Sequence, residues 1–359
     1  MIARAIPLEP DEPPEASGLP RDEVRLMVAR AGAPLKHARF LDLPRFMRAG
    51  DLLAVNESAT LPAALAATRD DGTEVTLHLS TPEPPPRGRG EREPGAERDP
   101  GAERDPGADR WVVELRRGGA RLRGGRAGER LALPGGARAR LVAPYLSAGR
   151  LWIAALDLPA PLLDYLDAHG APIRYSHQPH DWPLAYHQTI FARVPGSAEM
   201  PSAGRPFTPR VLARLGPGVS VAPVVLHTGV SSLERGERPY PERFSVPPET
   251  AARVNAARAA GGRVIAVGTT VTRALETVAA ANGTVTAGSG WTSLTIEPAR
   301  GVRAVDGLIT GWHEPDASHL LLLEAVAGRE LVERSYSAAV AAGYRWHEFG
   351  DSHLLLRAA

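Results

Sequence analysis

Cysteine is absent from the 359 residues. That excludes disulfide frameworks, thiolate nucleophiles and every zinc or iron–sulfur site built on sulfur. Metal chemistry would have to rest on imidazole and carboxylate, and the eleven histidines show no HExxH or comparable close pairing. Lysine is nearly missing too: Lys36 stands alone and arginine supplies the other basic groups. With 42 basic against 41 acidic side chains the formal charge is +1, so no global field draws the chain to nucleic acid or anionic lipid, though a local basic patch remains open. No run of about 18 apolar residues is there to span a bilayer. The first residues, Met1 to Pro7, lack the apolar core of a signal peptide, so we expect a soluble cytoplasmic protein without a membrane partner.

A chain of this length exceeds one small domain. Three copies of an Arg-acid-Pro-Gly-Ala-acid unit run from Arg92 to Asp109, and with Pro82 to Gly90 before them they offer no apolar side chain large enough to offset ordering entropy. We read 82–109 as a solvated, disordered loop. Short β-like pieces flank it: Glu74 to Leu79, Trp111 to Leu115, Arg130 to Leu133, Ala139 to Val142 and Leu151 to Leu156. After Pro161, strand-like runs (Val219 to Leu226, Val264 to Val267, Leu308 to Thr310) alternate with helical ones (Ala251 to Ala260, Val271 to Ala280, His319 to Ala327, Leu331 to Ala342). The early apolar run Gly50 to Asn56 fits that later sheet. The expected architecture is therefore an α/β main domain, 1–66 plus 157–359, with a small all-β domain inserted at 67–156.

The stretch Val264 to Thr270 reads as a buried strand ending in a glycine and two hydroxyls. A helix then opens with Val271, Ala274, Leu275 and Val278 on one stripe. Such a turn suits an anion: the first helical N–H groups are unpaired, the dipole is positive, and Thr269 or Thr270 can cap. Arg273 and Glu276 lie off the stripe one turn apart, free for chemistry or for pairing with each other. Gly216-Pro217-Gly218 follows a helical run rather than a strand, so it lacks the context of a dinucleotide or methyltransferase loop.

Several further segments, in order and spacing, resemble the S-adenosylmethionine:tRNA ribosyltransferase-isomerases of the queuosine pathway. They are Gly50 to Asn56, Gln188 to Ala192, Pro201 to Gly204 with Phe207-Thr208, Leu226 to Gly229, Val246-Pro247 with Glu249 to Ala251, Gly262 to Thr270, Gly290 to Thr292, Leu308 to Thr310 with His313 and Pro315, and Phe349 to Asp351. The resemblance implies an α/β domain with an inserted β-barrel. It also implies a transferase and isomerase in which S-adenosylmethionine gives up its ribosyl group, rather than its methyl, to 7-aminomethyl-7-deazaguanine in a tRNA anticodon. The product is epoxyqueuosine, with adenine and methionine released. S-adenosylmethionine enters as co-substrate, and no metal or other cofactor is expected.

That chemistry asks for a base near C5′, an acid near the adenine, and a seat for the methionine carboxylate and ammonium. His313, just beyond Leu308 to Thr310, and His227, at the end of Val221 to Leu226, are the first candidates for proton transfer, against the alternative of hydrogen-bonded structural histidines. Glu276 with Arg273 could hold the methionine, or form an ordinary ion pair. Asp351 and Glu242 are further carboxylate candidates. Gly268, Thr269, Thr270, Asn56 and Gly229 are placed on the ligand side, and Trp312 and Trp291 could stack on adenine or belong to the core.

Several positions depart from the family pattern. Ala59 and Ala64 replace arginines, Arg205-Pro206 replaces Leu-His, Glu237 to Tyr240 replaces His-Lys-Met-His, Asp316 replaces a lysine, Ala317 a serine, and Ser352-His353 an Ala-Met pair. Most lost groups are basic or imidazole, the types that meet phosphates and bases. The expectation that follows is a retained S-adenosylmethionine half and a rebuilt acceptor half, which leaves tRNA a possible but doubtful partner. The alternative is a diverged paralogue that cleaves or cyclises S-adenosylmethionine, or passes part of it to a small molecule. A non-catalytic RNA-binding protein on this scaffold is disfavoured by the near-zero charge.

Overall fold

The computed structural model describes residues 12–85, 109–146, 149–174, 180–230, 239–313 and 319–357. Most of the loop expected at 82–109, and the positions Glu237, Arg238, Pro315, Asp316 and Ala317, lie outside the described residues. A nine-stranded mixed sheet forms the centre, in the order Gly288–Thr292, Glu242–Val246, Ser220–Leu226, Leu52–Asn56, Val264–Val267, Gly307–Thr310, Ser352–Leu356, Arg25–Arg30 and Lys36–Arg39. The four strands from Ser220–Leu226 to Gly307–Thr310 are parallel.

Alternation sorts the apolar side chains onto two covered faces. Leu52, Ala54, Val264, Ala266 and Leu308 pack under the helices Pro248–Ala259, Thr269–Thr277, His319–Ala327 and Arg329–Ala341. Leu53, Val55, Ile265, Val267 and Ile309 pack on the other face against Phe40, Leu43, Phe207 and Val211. Strands buried on both faces need unbroken apolar runs, which is why Val264–Val267 is legible without a structure. Each such valine, leucine, isoleucine or phenylalanine contributes roughly 1.5–3 kcal/mol by leaving water.

Residues 64–157 close a second sheet into a six-stranded antiparallel barrel. Its strands are Ala64–Arg69, Glu74–Pro82, Asp109–Arg117, Arg130–Ala132, Arg138–Tyr145 and Leu151–Asp157, the last pairing back onto Asp109–Arg117. The first strand straddles residue 66, and the helix Leu162–His169 adds Tyr165 and Leu166 to the barrel core. A bulge between Leu79 and Thr81 interrupts the barrel ladder. Bulges re-aim side chains, and here Ser80 Oγ accepts the Val230 N–H at 3.0 Å, tying the barrel to the main sheet.

The winding of the sheet opens a crevice. From Leu52–Asn56 the chain returns to Ser220–Leu226 on one side, by way of the short helix Pro209–Arg214 on the second face. From Val264–Val267 it passes through Thr269–Thr277 on the first face to Gly307–Thr310 on the other side. Adjacent strands that wind in opposite directions leave a gap at their carboxyl ends, the usual ligand position in open α/β sheets. No helix among the described residues is long and apolar enough to cross a membrane.

Candidate active site

At that gap stands Asn56. Its Oδ1 accepts the N–H groups of Leu226 (3.0 Å) and Ser58 (3.1 Å), while Nδ2 donates to the Leu226 carbonyl (2.8 Å) and to Thr270 Oγ1 (3.3 Å). The network leaves no doubt about the amide's orientation. Asn56 is 3 % exposed, so it acts as a latch joining three strand ends.

Across the latch, Gly268 takes φ +100° and precedes the helix Thr269–Thr277. Among the described residues no side chain caps this helix, and Thr270 Oγ1 accepts from Asn56 Nδ2, so the expected threonine cap is not formed. The N–H groups of Thr269, Thr270 and Val271 have no acceptor among the described residues, and both threonines are half-buried at the mouth. An anion is favoured there by roughly 0.3–1 kcal/mol. Ala203, in the turn Ser202–Gly204, packs beside Gly268: a Cβ on that glycine would lie 3.4 Å from the Ala203 methyl.

His227 closes the other side. A Cβ at Gly196 would meet its Nδ1 at 2.4 Å, so only glycine admits the ring. The Thr228 N–H donates to Ser197 Oγ (3.0 Å), leaving the fully buried Ser197 hydroxyl proton one acceptor in reach among the described residues, Ser58 Oγ at 2.6 Å. The Ser58 proton then goes to His227 Nδ1 at 2.7 Å. The reverse direction would orphan the Ser197 proton at a cost of about 1–3 kcal/mol. Nδ1 is therefore an acceptor and the neutral ring carries its proton on Nε2, which has no partner among the described residues and is open to solvent. Burial, with Arg243 adding to it, pushes the imidazole down to about 4, so it is neutral at pH 7.

Three expected residues assemble behind His227. Glu242 accepts the Gly229 N–H at 3.0 Å and pairs with Arg273, whose other donors reach the carbonyls of Leu294 (3.0 Å) and Thr292 (3.3 Å). This ion pair braces the turn that carries His227. Glu276 does not join Arg273: it is 2 % exposed, pairs with Arg300 at 2.8 Å, and accepts the Arg303 and Ala304 N–H groups at 2.7 Å each. The helix is buried from Val271 to Glu276, which is why residues off the apolar stripe are not at the surface.

His313 is half-buried, its Nε2 at 3.1 Å from Thr310 Oγ1 and its ring stacked on His319 at 4.5 Å. Burial first, then the neighbouring His319 and His347, holds it well below the ordinary histidine range. His227 and His313 follow strands three spacings apart, about 14 Å at 4.7–4.9 Å each, so they face opposite ends of a ligand and not one atom.

Two residues named on sequence grounds have structural duties. Asp351 accepts the Arg25 N–H (2.8 Å), the Arg25 guanidinium (2.7 Å) and the Arg345 N–H (2.8 Å). Trp312 is 0 % exposed, set among Tyr336, Tyr344 and Trp346 and stacked on His353 at 4.3 Å, so it belongs to the core and is closed to adenine. Conversely, Ser58, Gly196, Ser197 and His319 went unnamed. Only Ser58, two residues past a strand-ending asparagine, left a trace in the sequence.

Fold and crevice together define an α/β protein with a ligand site at a sheet switch point and a closed barrel inserted beside it. The family model described as queuosine biosynthesis protein matches residues 6–355, and the chain belongs to that family. It is 38 % identical over 354 residues to the S-adenosylmethionine:tRNA ribosyltransferase-isomerase of Moorella thermoacetica, covering 94 % of each chain. To the protein of the same name from Thermus thermophilus it is 35 % identical over 367 residues, covering 97 % of each. The crystal structure of the Thermotoga maritima S-adenosylmethionine tRNA ribosyltransferase aligns over 97 % of this chain and 96 % of that one, with 26 % identity and a TM-score of 0.51.

These relatives do not bear out the doubt about tRNA, and nothing among them supports a paralogue acting on a small molecule. The structure supplies a reason. Ala64, Arg205, Ser352 and His353 are all buried, Arg205 pairing with Glu15 and lying over Phe349. Those departures from the family pattern are changes of packing that a ligand does not meet.

Proposed function

We propose that this protein transfers and isomerises the ribosyl group of S-adenosylmethionine onto 7-aminomethyl-7-deazaguanine of a tRNA anticodon, giving epoxyqueuosine and releasing adenine and methionine. One observation carries the site assignment: a polar crevice at the switch point, between the unpaired N–H groups of 269–271 and the open Nε2 of His227. Reaction at the ribose needs an anion seat for the methionine carboxylate, a hydrogen-bond donor to the nucleoside and an acceptor of protons. The helix start at Gly268 to Thr270 supplies the seat. His227, neutral with hydrogen on Nε2, serves as a donor to the nucleoside. His313, unprotonated at neutral pH, is the proton acceptor. Gly229, Glu242 and Arg273 hold the His227 turn, and Asn56 fixes the gap. S-adenosylmethionine is the co-substrate, the chemistry asks for no metal or redox group, and we place the enzyme in the cytoplasm with its tRNA.

The test is incubation with S-adenosylmethionine, with and without an anticodon stem-loop bearing the aminomethyl base. Adenine release that depends on the RNA, with epoxyqueuosine appearing in it, is expected; equal release without RNA would overturn the reading.

A further inference from the structure

The sheet end that carries His227 has one face packed under helices and one that is not. Ala222, Val224, Leu226, Phe244 and Val246 are buried in the helix-covered core. Their alternates Val225, Arg243, Ser245 and Trp291 are only half-buried, and Ser289 is exposed. Strand register lines up the reactive positions. Leu226 opposes Phe244, and the His227 N–H donates to the Arg243 carbonyl at 2.9 Å; on the next strand Arg243 opposes Trp291. Directly opposed residues of antiparallel strands point to the same side with Cβ atoms about 4.5–5.5 Å apart. His227, Arg243 and Trp291 thus form a row running from the crevice to the sheet edge.

The middle member has an unmet charge. Arg243 Nε is buried without a hydrogen-bond partner, and no carboxylate pairs with its guanidinium among the described residues. Its nearest acid in sequence, Glu242, points to the opposite face and is held by Arg273 and the Gly229 N–H. A half-desolvated guanidinium with no carboxylate on it among the described residues is complementary to an anion. Beside it the half-exposed indole of Trp291 offers a stacking surface. Guanidinium plus aromatic plane is the chemistry that reads unstacked bases and phosphates of single-stranded RNA loops.

We propose that this row is the RNA-docking face: Arg243 takes a phosphate of the anticodon loop and Trp291 stacks on a base next to the one being modified, which brings the target base to His227. The assignment rests on the ribosyl-transfer reading, and it answers how a chain of formal charge +1 engages RNA: by local contacts.

The experiment compares Arg243→Gln and Trp291→Ala with the parent, using a fluorescently labelled anticodon stem-loop for anisotropy and S-adenosylmethionine for calorimetry. Arg138→Gln, on the barrel, serves as a control. Trp291→Ala should weaken RNA binding by about 5- to 150-fold with an unchanged salt dependence. Arg243→Gln should weaken it at least about fivefold and lower the slope of log K against log salt by about 0.7–0.9, the signature of one lost phosphate contact. Neither should alter S-adenosylmethionine affinity by more than about twofold, and a general loss of structure would not separate the two slopes in this way. RNA affinity within twofold of the parent in both variants, or a loss of S-adenosylmethionine binding in Arg243→Gln, would sink the docking face while leaving the reaction intact. Absence of RNA binding and RNA-dependent turnover in the parent itself would remove both.

Discussion

The carboxyl edge of the main sheet divides into two halves built from the same residue types. Around Leu52–Asn56, Ser220–Leu226 and Val264–Val267, polar groups keep open valences: Nε2 of His227, the guanidinium of Arg243 and the N–H groups of 269–271. Around Ser352–Leu356 and Arg25–Arg30, valences are closed or packed away, with Asp351 saturated by Arg25 and Arg345 and both nitrogens of His353 sealed behind Trp312. His227 and His353 are both buried histidines of lowered proton affinity. What separates them is access: a relay of two serines fixes the proton of one and leaves its far nitrogen open, whereas the other touches only packing atoms.

The largest expected effect comes from breaking the open half. His227→Asn should lower kcat/KM by about 10²–10³-fold, the usual loss for a positioned donor, with little change in thermal midpoint. Ser58→Ala should lose less, and ring-nitrogen NMR should show the His227 proton redistributing between Nδ1 and Nε2. An unchanged tautomer in Ser58→Ala would refute the relay. Next in size are the closed carboxylates. Glu276→Gln and Asp351→Asn should each destabilise the fold by about 1–3 kcal/mol in chemical denaturation while the folded fraction keeps its KM for S-adenosylmethionine.

The smallest effect sharpens the contrast from the other side. Neither nitrogen of His353 has a partner among the described residues, so His353→Leu should be neutral or stabilise by about 1 kcal/mol. Burial pushes this imidazole from its ordinary 6.5 down to about 3. The unfolded chain therefore binds a proton between those values that the folded chain cannot, and His353 costs stability progressively as pH falls from about 6.5 to about 3. The leucine variant should lose that one-proton share of the acid sensitivity, and identical pH–stability curves would contradict it.

Periodicity made much of this legible. The strands Val264–Val267 and Gly307–Thr310 and the helix His319–Ala327 lie within a residue of where the pattern puts them, because double-sided burial demands continuous apolar runs. Glu242–Val246, Gly288–Thr292 and Ser352–Leu356 escaped notice, since Glu-Arg-Phe-Ser-Val and Gly-Ser-Gly-Trp-Thr become strands only by pairing with neighbours already in place. The same holds for the site. Thr270 and Asn56 were marked by their positions at strand ends, but the Ser58, Ser197 and His227 relay joins residues up to 169 apart in the chain.

By itself the chain determined the strands and helices of its continuous apolar runs, the insertion of a β module into an α/β domain, and its kinship with the ribosyltransferase-isomerases. Those depend on local propensity, apolar spacing and the order of motifs. Tertiary structure alone decided which of several similar side chains stay available. On sequence grounds Glu276 is the acid one turn from Arg273, yet it is spent on Arg300 and two backbone amides, while Glu242, 31 residues away in the chain, pairs with Arg273 and holds the turn bearing His227. Whether a polar atom is open or satisfied depends on partners brought from distant segments, and residue type and spacing carry no record of them.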